Sequence, residues 1–269
     1  MAKQTNSKRY LFQADATGVA AQFASPYDDV IPIQSASTLP SIGGRGSSHL
    51  GRFQYKDVLS FGSAYTEVVG IEAEDGVFET VALSVVENFN LLGAVKCDRI
   101  VAKLSGRHSV GSDVPAENFI VPAGSVFEGL RIRDVFSAKK LVVAPDFFCT
   151  PQHSTWSGLL AALENERERA LLEPLSLPAP DGDPVQLPTS GRRNDLLGFC
   201  IALGEPTPES ALGAPLIIRV PDFGTVHLGE FFCEPTSRRL IMLRAELDGD
   251  VQGQVVVGDP VVDGGPYPP

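Results

Sequence analysis

Residues 77–104 read VFETVALSVVENFNLLGAVKCDRIVAKL, and their pattern decides the fold class. Val77, Val81, Leu83, Val85 and Phe89 share one parity, while Thr80, Ser84, Asn88 and Asn90 share the other. A period of two is that of a strand with one face on a core and the other toward water. The expectation is an antiparallel sheet strand with Val77, Val81, Leu83, Val85 and Phe89 on the core face. Further on the alternation slips: Val95 and Cys97 keep one parity, but Ile100, Ala102 and Leu104 take the other. One extra residue near Lys96–Arg99 accounts for this, as a bulge or tight turn. The stretch therefore reads as a hairpin arm, a break near Cys97, and a second strand.

Upstream, Glu74-Asp75-Gly76-Val77 places Asp-Gly between two β-prone runs, the strongest short-range hairpin signal. Glu67–Glu74 is expected to pair antiparallel with Val77–Ser84. Downstream, Val86–Val101 (VENFNLLGAVKCDRIV) aligns without a gap on Phe127–Val142 (FEGLRIRDVFSAKKLV), 41 residues later. Both halves read as alternating strand, short polar break, second strand, so an internal hairpin repeat (86–101 and 127–142) is expected. Two copies are too few for a solenoid.

Elsewhere the pattern is weaker. Residues 1–9 read as a loosely attached arm. Tyr10–Phe23 shows no clean period and supports at most one short strand. Val30-Ile31-Pro32-Ile33 fits an edge strand, since proline withholds a ladder donor. Residues 37–51 (STLPSIGGRGSSHLG) read as a glycine-rich surface loop or interface segment, and 42–51 carries its glycines. Arg45 would give it charge for an anion, but the phosphate-loop and dinucleotide spacings are absent. Tyr55–Phe61 and Ala64–Glu74 are β-prone. One accessory helix is expected over 155–173, capped by Ser154 or Thr155 and stopped by Pro174. Its apolar side would carry Trp156, Leu159, Leu160, Leu163, Ala170 and Leu171. Residues 174–193 are proline-rich and polar, as in a linker. Strands are expected again at Asp195–Leu203, Pro215–Val220, Thr225–Cys233, Arg239–Glu246 and Val251–Val257, followed by an extended arm.

The formal charge of −11 opposes a nucleic-acid surface or an anionic membrane as partner. No run of about 18 apolar residues occurs, and none follows the polar first residues, so a cytoplasmic chain is expected, with leaderless export as the other route. Cys97, Cys149, Cys200 and Cys233 lie far apart, without metal spacing, and are expected as free thiols. His49, His108, His153 and His227 show no i, i+4 pair. His153 stands four residues after Cys149, a weak signal for a nucleophilic pair. Asp181-Gly182-Asp183 and Asp248-Gly249-Asp250 read as β-turns in preference to calcium loops. There is no G-x-S-x-G elbow.

These observations point to an all-β fold, an antiparallel β-sandwich or barrel with one accessory helix. Its parts are a β-rich domain at 1–150, a helix and linker at 151–193, and a second β-rich segment at 194–269 that completes the same domain or forms another. The function expected is a non-enzymatic structural or binding protein that self-assembles, with a homo-oligomer or another protein as partner. The alternative is a small-molecule enzyme of cyclase or isomerase type, working in a cavity inside a β-barrel. A leaderless secreted toxin or adhesin is a third class. Catalytic residues remain unassigned, and no cofactor or metal site is assigned.

Overall fold

Strands β6 (Ser63–Glu74) and β7 (Val77–Leu91) pair antiparallel, Glu67 opposite Leu83 and Glu74 opposite Val77. Gly76 at the reversal has φ +73°, which a residue without Cβ adopts freely. The structure, a computed structural model, describes residues 10–74, 76–109, 117–143, 146–177, 196–205 and 212–266. Asp75, the arm at 1–9, Asp181–Asp183 and nearly all of the expected linker lie outside the described residues.

The strands before β6 are β1 (Tyr10–Ser25), β2 (Asp29–Thr38), β3 (Gly44–Leu50), β4 (Phe53–Tyr55) and β5 (Leu59–Phe61). After β7 come β8 (Val95–Ser109), β9 (Phe119–Val121), β10 (Ser125–Ile132) and β11 (Phe136–Val143). Short helices α1 (Pro151–Ser154), α2 (Trp156–Glu164) and α3 (Glu166–Leu172) follow. The last strands are β12 (Leu197–Cys200), β13 (Ile217–Val220), β14 (Gly224–Cys233), β15 (Arg238–Asp248) and β16 (Gln252–Pro266). Two antiparallel sheets pack face to face. One has seven strands, ordered β12-β14-β15-β16-β1-β2, with β13 also on β14. The other has nine, built on β3-β6-β7-β8-β10-β11, with β5 and β4 continuing from β7 and β9 pairing β8. The fold is thus the all-β antiparallel sandwich that the alternation implies.

Over Val77–Val86 the inward face of β7 is the reverse of the sequence expectation, while Phe89 is buried as the alternation implies. Phe78, Thr80, Ala82, Ser84 and Val86 are buried, whereas Val77, Val81, Leu83 and Val85 are half-buried on the outer face. The reason is volume. Several inward residues on the facing β1 and on the neighbouring β6 and β8 are small: Ala14 and Ala16 of β1, Ala64 and Thr66 of β6, Ala102 of β8, all at 0–1% exposure. A Cβ on Gly106 of β8 would stand 3.0 Å from Val262 of β16. Thr80 is flanked inward by Gly70 and Gly106 and Ser84 by Thr66 and Ala102, so the sheets meet through small side chains at those levels, while Val68 and Leu104 fill the level of Ala82 between them.

The parity slip near Lys96–Arg99 is present, inside a continuous β8, where Cys97 and Ile100 are buried and Asp98 and Arg99 exposed. The chain reversal lies earlier, at Leu92–Ala94, with Leu91 opposite Val95. The slip belongs to a transverse row: Gly62, Asn88, Asp98 and Gly129 stand at one level across β5/β6, β7, β8 and β10. Asn88 (φ +52°) and Gly129 (φ +64°) are left-handed there. The seven-stranded sheet carries a matching row, Gly18, Gly258, Met242 and Gly229. At each row the alternation flips, so both halves of every strand keep an apolar face on the core.

This flip hid β1 from the periodicity. Tyr10, Phe12, Ala14 and Ala16 point inward before Gly18, and Val19, Ala21 and Phe23 after it, making one long strand in place of a short one. Gly229 has φ +63°, and a Cβ there would stand 2.8 Å from Ala202 N and 2.9 Å from Val143 Cγ1. Gly229→Ala is expected to cost about 2–4 kcal/mol, backbone strain added to overpacking, measured as a shift in urea midpoint.

The 41-residue offset aligns backbone geometry as well as residue type. Asn88 falls on Gly129, and Leu92 (φ +53°) falls on Arg133 (φ +38°). In both turns an amide closes on the carbonyl three residues back, Ala94 to Leu91 and Val135 to Ile132. The β4–β5 turn does the same, Val58 to Tyr55, with Lys56 at φ +48°. These turns are joined to one another: Leu92 N donates to Val58 O, and Arg133 N to Ala94 O, both at 2.7 Å.

Three further expectations are corrected. The glycine-rich segment is strand β3, paired to β6, with Arg45 bonded to Glu67. The expected terminal arm from Asp259 onward is part of β16, which pairs with β1 as far as Pro266. The single helix is divided, because Asn165 is extended and its side chain accepts from the amides of Arg167 (3.0 Å) and Glu168 (3.3 Å), capping α3 anew. Thr155 caps α2 as expected, accepting from Gly158 N. The break rotates the buried face, so Leu172 is buried and Ala170 is exposed. Phe148, just before α1, packs on Phe199 and Phe231 and closes one side of the sandwich. Ser35 of β2, bonded to Ser48 O of β3 and Thr66 Oγ1 of β6, closes the other.

Candidate functional site

The four histidines lie in four separate settings. His49 is exposed on β3, opposite Tyr65. His108 is buried on β8 with its ring against Tyr10, centroids 5.0 Å apart. His153 on α1 stacks on Phe147 at 3.8 Å, with Nδ1 2.8 Å from Thr150 Oγ1 and Nε2 3.3 Å from Glu168. Thr150 and Glu168 thus occupy this imidazole, and among the described residues no hydrogen bond joins it to Cys149. Burial pushes the Cys149 thiol up, against formation of a thiolate. All four cysteines are free. Asp248-Gly249-Asp250 is the β15–β16 turn, with Asp248 bonded to Arg219 at 2.5 Å. Among the described residues, no group of three or more His, Cys, Asp or Glu is placed to hold a metal ion.

The densest polar cluster was not foreseen. Arg244 of β15 donates to both oxygens of Glu230 on β14, Nε at 2.7 Å and Nη2 at 2.6 Å, and its Nη1 reaches Glu246. His227 sits between the two carboxylates, 3.6 Å from Glu230 and 3.7 Å from Glu246. The Glu230 side chain is 3% exposed and that of Arg244 is 22%. In a regular strand, residues three apart face opposite ways, so His227 and Glu230 could not meet. The left-handed Gly229 between them flips the alternation and turns both to the outer side of the sheet. A lone glycine inside an apolar strand was the available signal. Loss of hydration, followed by the Arg244 charge, pushes the His227 pKa down, and the two glutamates oppose that shift. The charges are spent on one another, so the cluster reads as an internal lock between β14 and β15.

Arg238 is also buried, at 1% exposure, with Nη1 donating to the carbonyls of Glu234 and Ser237. Its Nε and Nη2 have no partner among the described residues.

An extended surface able to meet another molecule is the outer face of the nine-stranded sheet. Tyr65, Val85, Val101, Val126 and Val142 stand in one transverse row across β6, β7, β8, β10 and β11. Val81 and Leu83 flank the row on β7. Most of these are half-buried by their neighbours alone, and Val142, on edge strand β11, is 56% exposed. With Thr80, Ala82 and Ser84 turned inward on β7, its Val81, Leu83 and Val85 stand on this face.

Fold and surface together define an antiparallel β-sandwich with an apolar outer stripe. The profile of a family described as "Domain of unknown function (DUF8256)" matches residues 10–158, more than half of the chain, and the protein belongs to that family. No curated protein and no solved structure matches it. The matched region ends inside α2, yet β16, well beyond it, pairs with β1 along nearly its whole length. No helix among the described residues is long and apolar enough to cross a membrane.

Proposed function

We propose that the protein is a non-enzymatic structural or binding protein that assembles with copies of itself. The observation that carries this reading is the five-strand apolar row on the outer face of the nine-stranded sheet. Aliphatic side chains set side by side on a sheet face lose contact with water only when another surface covers them. The packing between the sheets favours this reading over a cavity enzyme. The inward residues form a contiguous apolar core running from Tyr10 on β1 to Val262 on β16. The most charged cluster, around Glu230, is closed on itself.

Size-exclusion chromatography with light scattering, over a concentration series, tests the proposal. The expected mass is a multiple of the 28.7 kDa chain. A strict monomer at every concentration would overturn it.

A further inference from the structure

Granted the assembly reading above, we infer that the outer face of the nine-stranded sheet is the self-association surface, two copies packing face to face about a two-fold axis that runs along β7. Three observations support a second copy as the occupant.

The first is charge. The chain carries −11, so an average patch of its surface repels its own copy. This face is close to neutral. Register places Glu79 beside Arg107, and Arg99 between Glu87 and Glu128. Glu128 also lies beside Lys140, and Arg45 is bonded to Glu67. Lys103 faces the apolar Leu83 across the ladder. A face with its charges cancelled suits neither a basic nor an acidic partner.

The second is area. With the axis on β7, the five strands β3, β6, β7, β8 and β10 can face counterparts. At about 4.8 Å spacing and about eight residues of 3.4 Å rise, they give roughly 450 Å² of flat face between their outermost Cα atoms. A standard interface takes about 800 Å² from each partner, so more than half of one is present before side-chain relief is counted.

The third is the match of the face to itself. In the row through Leu83, Glu67 lies one strand to one side and Lys103 one strand to the other. A two-fold axis along β7 sets Leu83 on Leu83. It also brings Lys103 of each copy over Glu67 of the other, giving two reciprocal ion pairs around an apolar centre, as an isologous interface requires.

The test is light scattering on the full chain with four variants, each checked for native circular dichroism. Lys103→Glu and Glu67→Lys are each expected to weaken association at least tenfold, and the double swap to restore it. Leu83→Lys should abolish association, while Val30→Lys, a control on the 70% exposed edge residue of β2, should leave it unchanged. If the wild type associates but folded Leu83→Lys and Lys103→Glu associate equally well, this face is the wrong one and assembly stands. If Val30→Lys alone dissociates the protein, the interface is at β2. If the wild type is monomeric throughout, the assembly reading falls, and this one with it.

Discussion

Glu230→Leu, with Arg244 left in place, is expected to destabilise the fold by about 3 kcal/mol, the lower end of the range for breaking a buried ion pair. The lower end applies because the Arg244 side chain keeps 22% exposure and retains Glu246. The cost comes from stranding a guanidinium beside the buried ring of His227, and the lost attraction is the smaller part. The double variant Glu230→Leu/Arg244→Met is therefore expected to recover most of the loss, since two packed apolar side chains replace a desolvated pair. Urea titrations of the two single variants and the double variant close the cycle. A loss below about 0.5 kcal/mol for Glu230→Leu would place the pair among surface ion pairs. A double variant as unstable as the single one would show that packing, not stranded charge, sets the cost.

Acidification is expected to unfold the protein from a higher pH than carboxylate titration alone would give. His108, His153 and His227 each have a pKa pushed below the ordinary 6.5, burial being the first cause in every case. The folded state holds these rings neutral, whereas the unfolded chain takes up protons as pH falls through about 6.5. Below that point the unfolded state binds more protons and stability declines; above about 7.5 neither state does and the profile is flat. The limiting slope is about 1.4 kcal/mol per pH unit for each histidine, hence about 4 kcal/mol per unit if all three act together. Glu168 beside His153 and the two glutamates beside His227 reduce that limit. Urea midpoints at pH 7.5, 6.5 and 5.5 measure the effect, and His227→Gln should remove one share of the slope. An unchanged midpoint from pH 7.5 to 5.5 would sink the prediction.

Local chemistry was legible in the sequence where a residue acts on its own backbone. Asp75-Gly76 marked the β6–β7 hairpin, Thr155 marked the start of α2, and alternation marked the class of fold. Such signals need only neighbours within a few residues. The candidate surface was legible in part: Val81, Leu83 and Val85, which the alternation picked out, lie on it, but on the outer side, and Tyr65, Val101, Val126 and Val142 join Val85 only through the ladder.

Composition and periodicity determined that this chain forms antiparallel sheets, because a strand announces its two faces wherever alternate residues differ in polarity. Only the tertiary structure decided which face is inside. Thr80, Ala82 and Ser84 of β7 are buried while Val81 and Leu83 are not, because the inward space at each level is shared with the opposing sheet and with neighbouring strands, where Val68 and Leu104 flank Ala82 and where Thr66 and Ala102 flank Ser84. The meeting of His227 with Glu230 depends likewise on one left-handed glycine within a row that crosses the whole sheet. Single-strand patterns carry polarity, but the space between two sheets belongs to both of them.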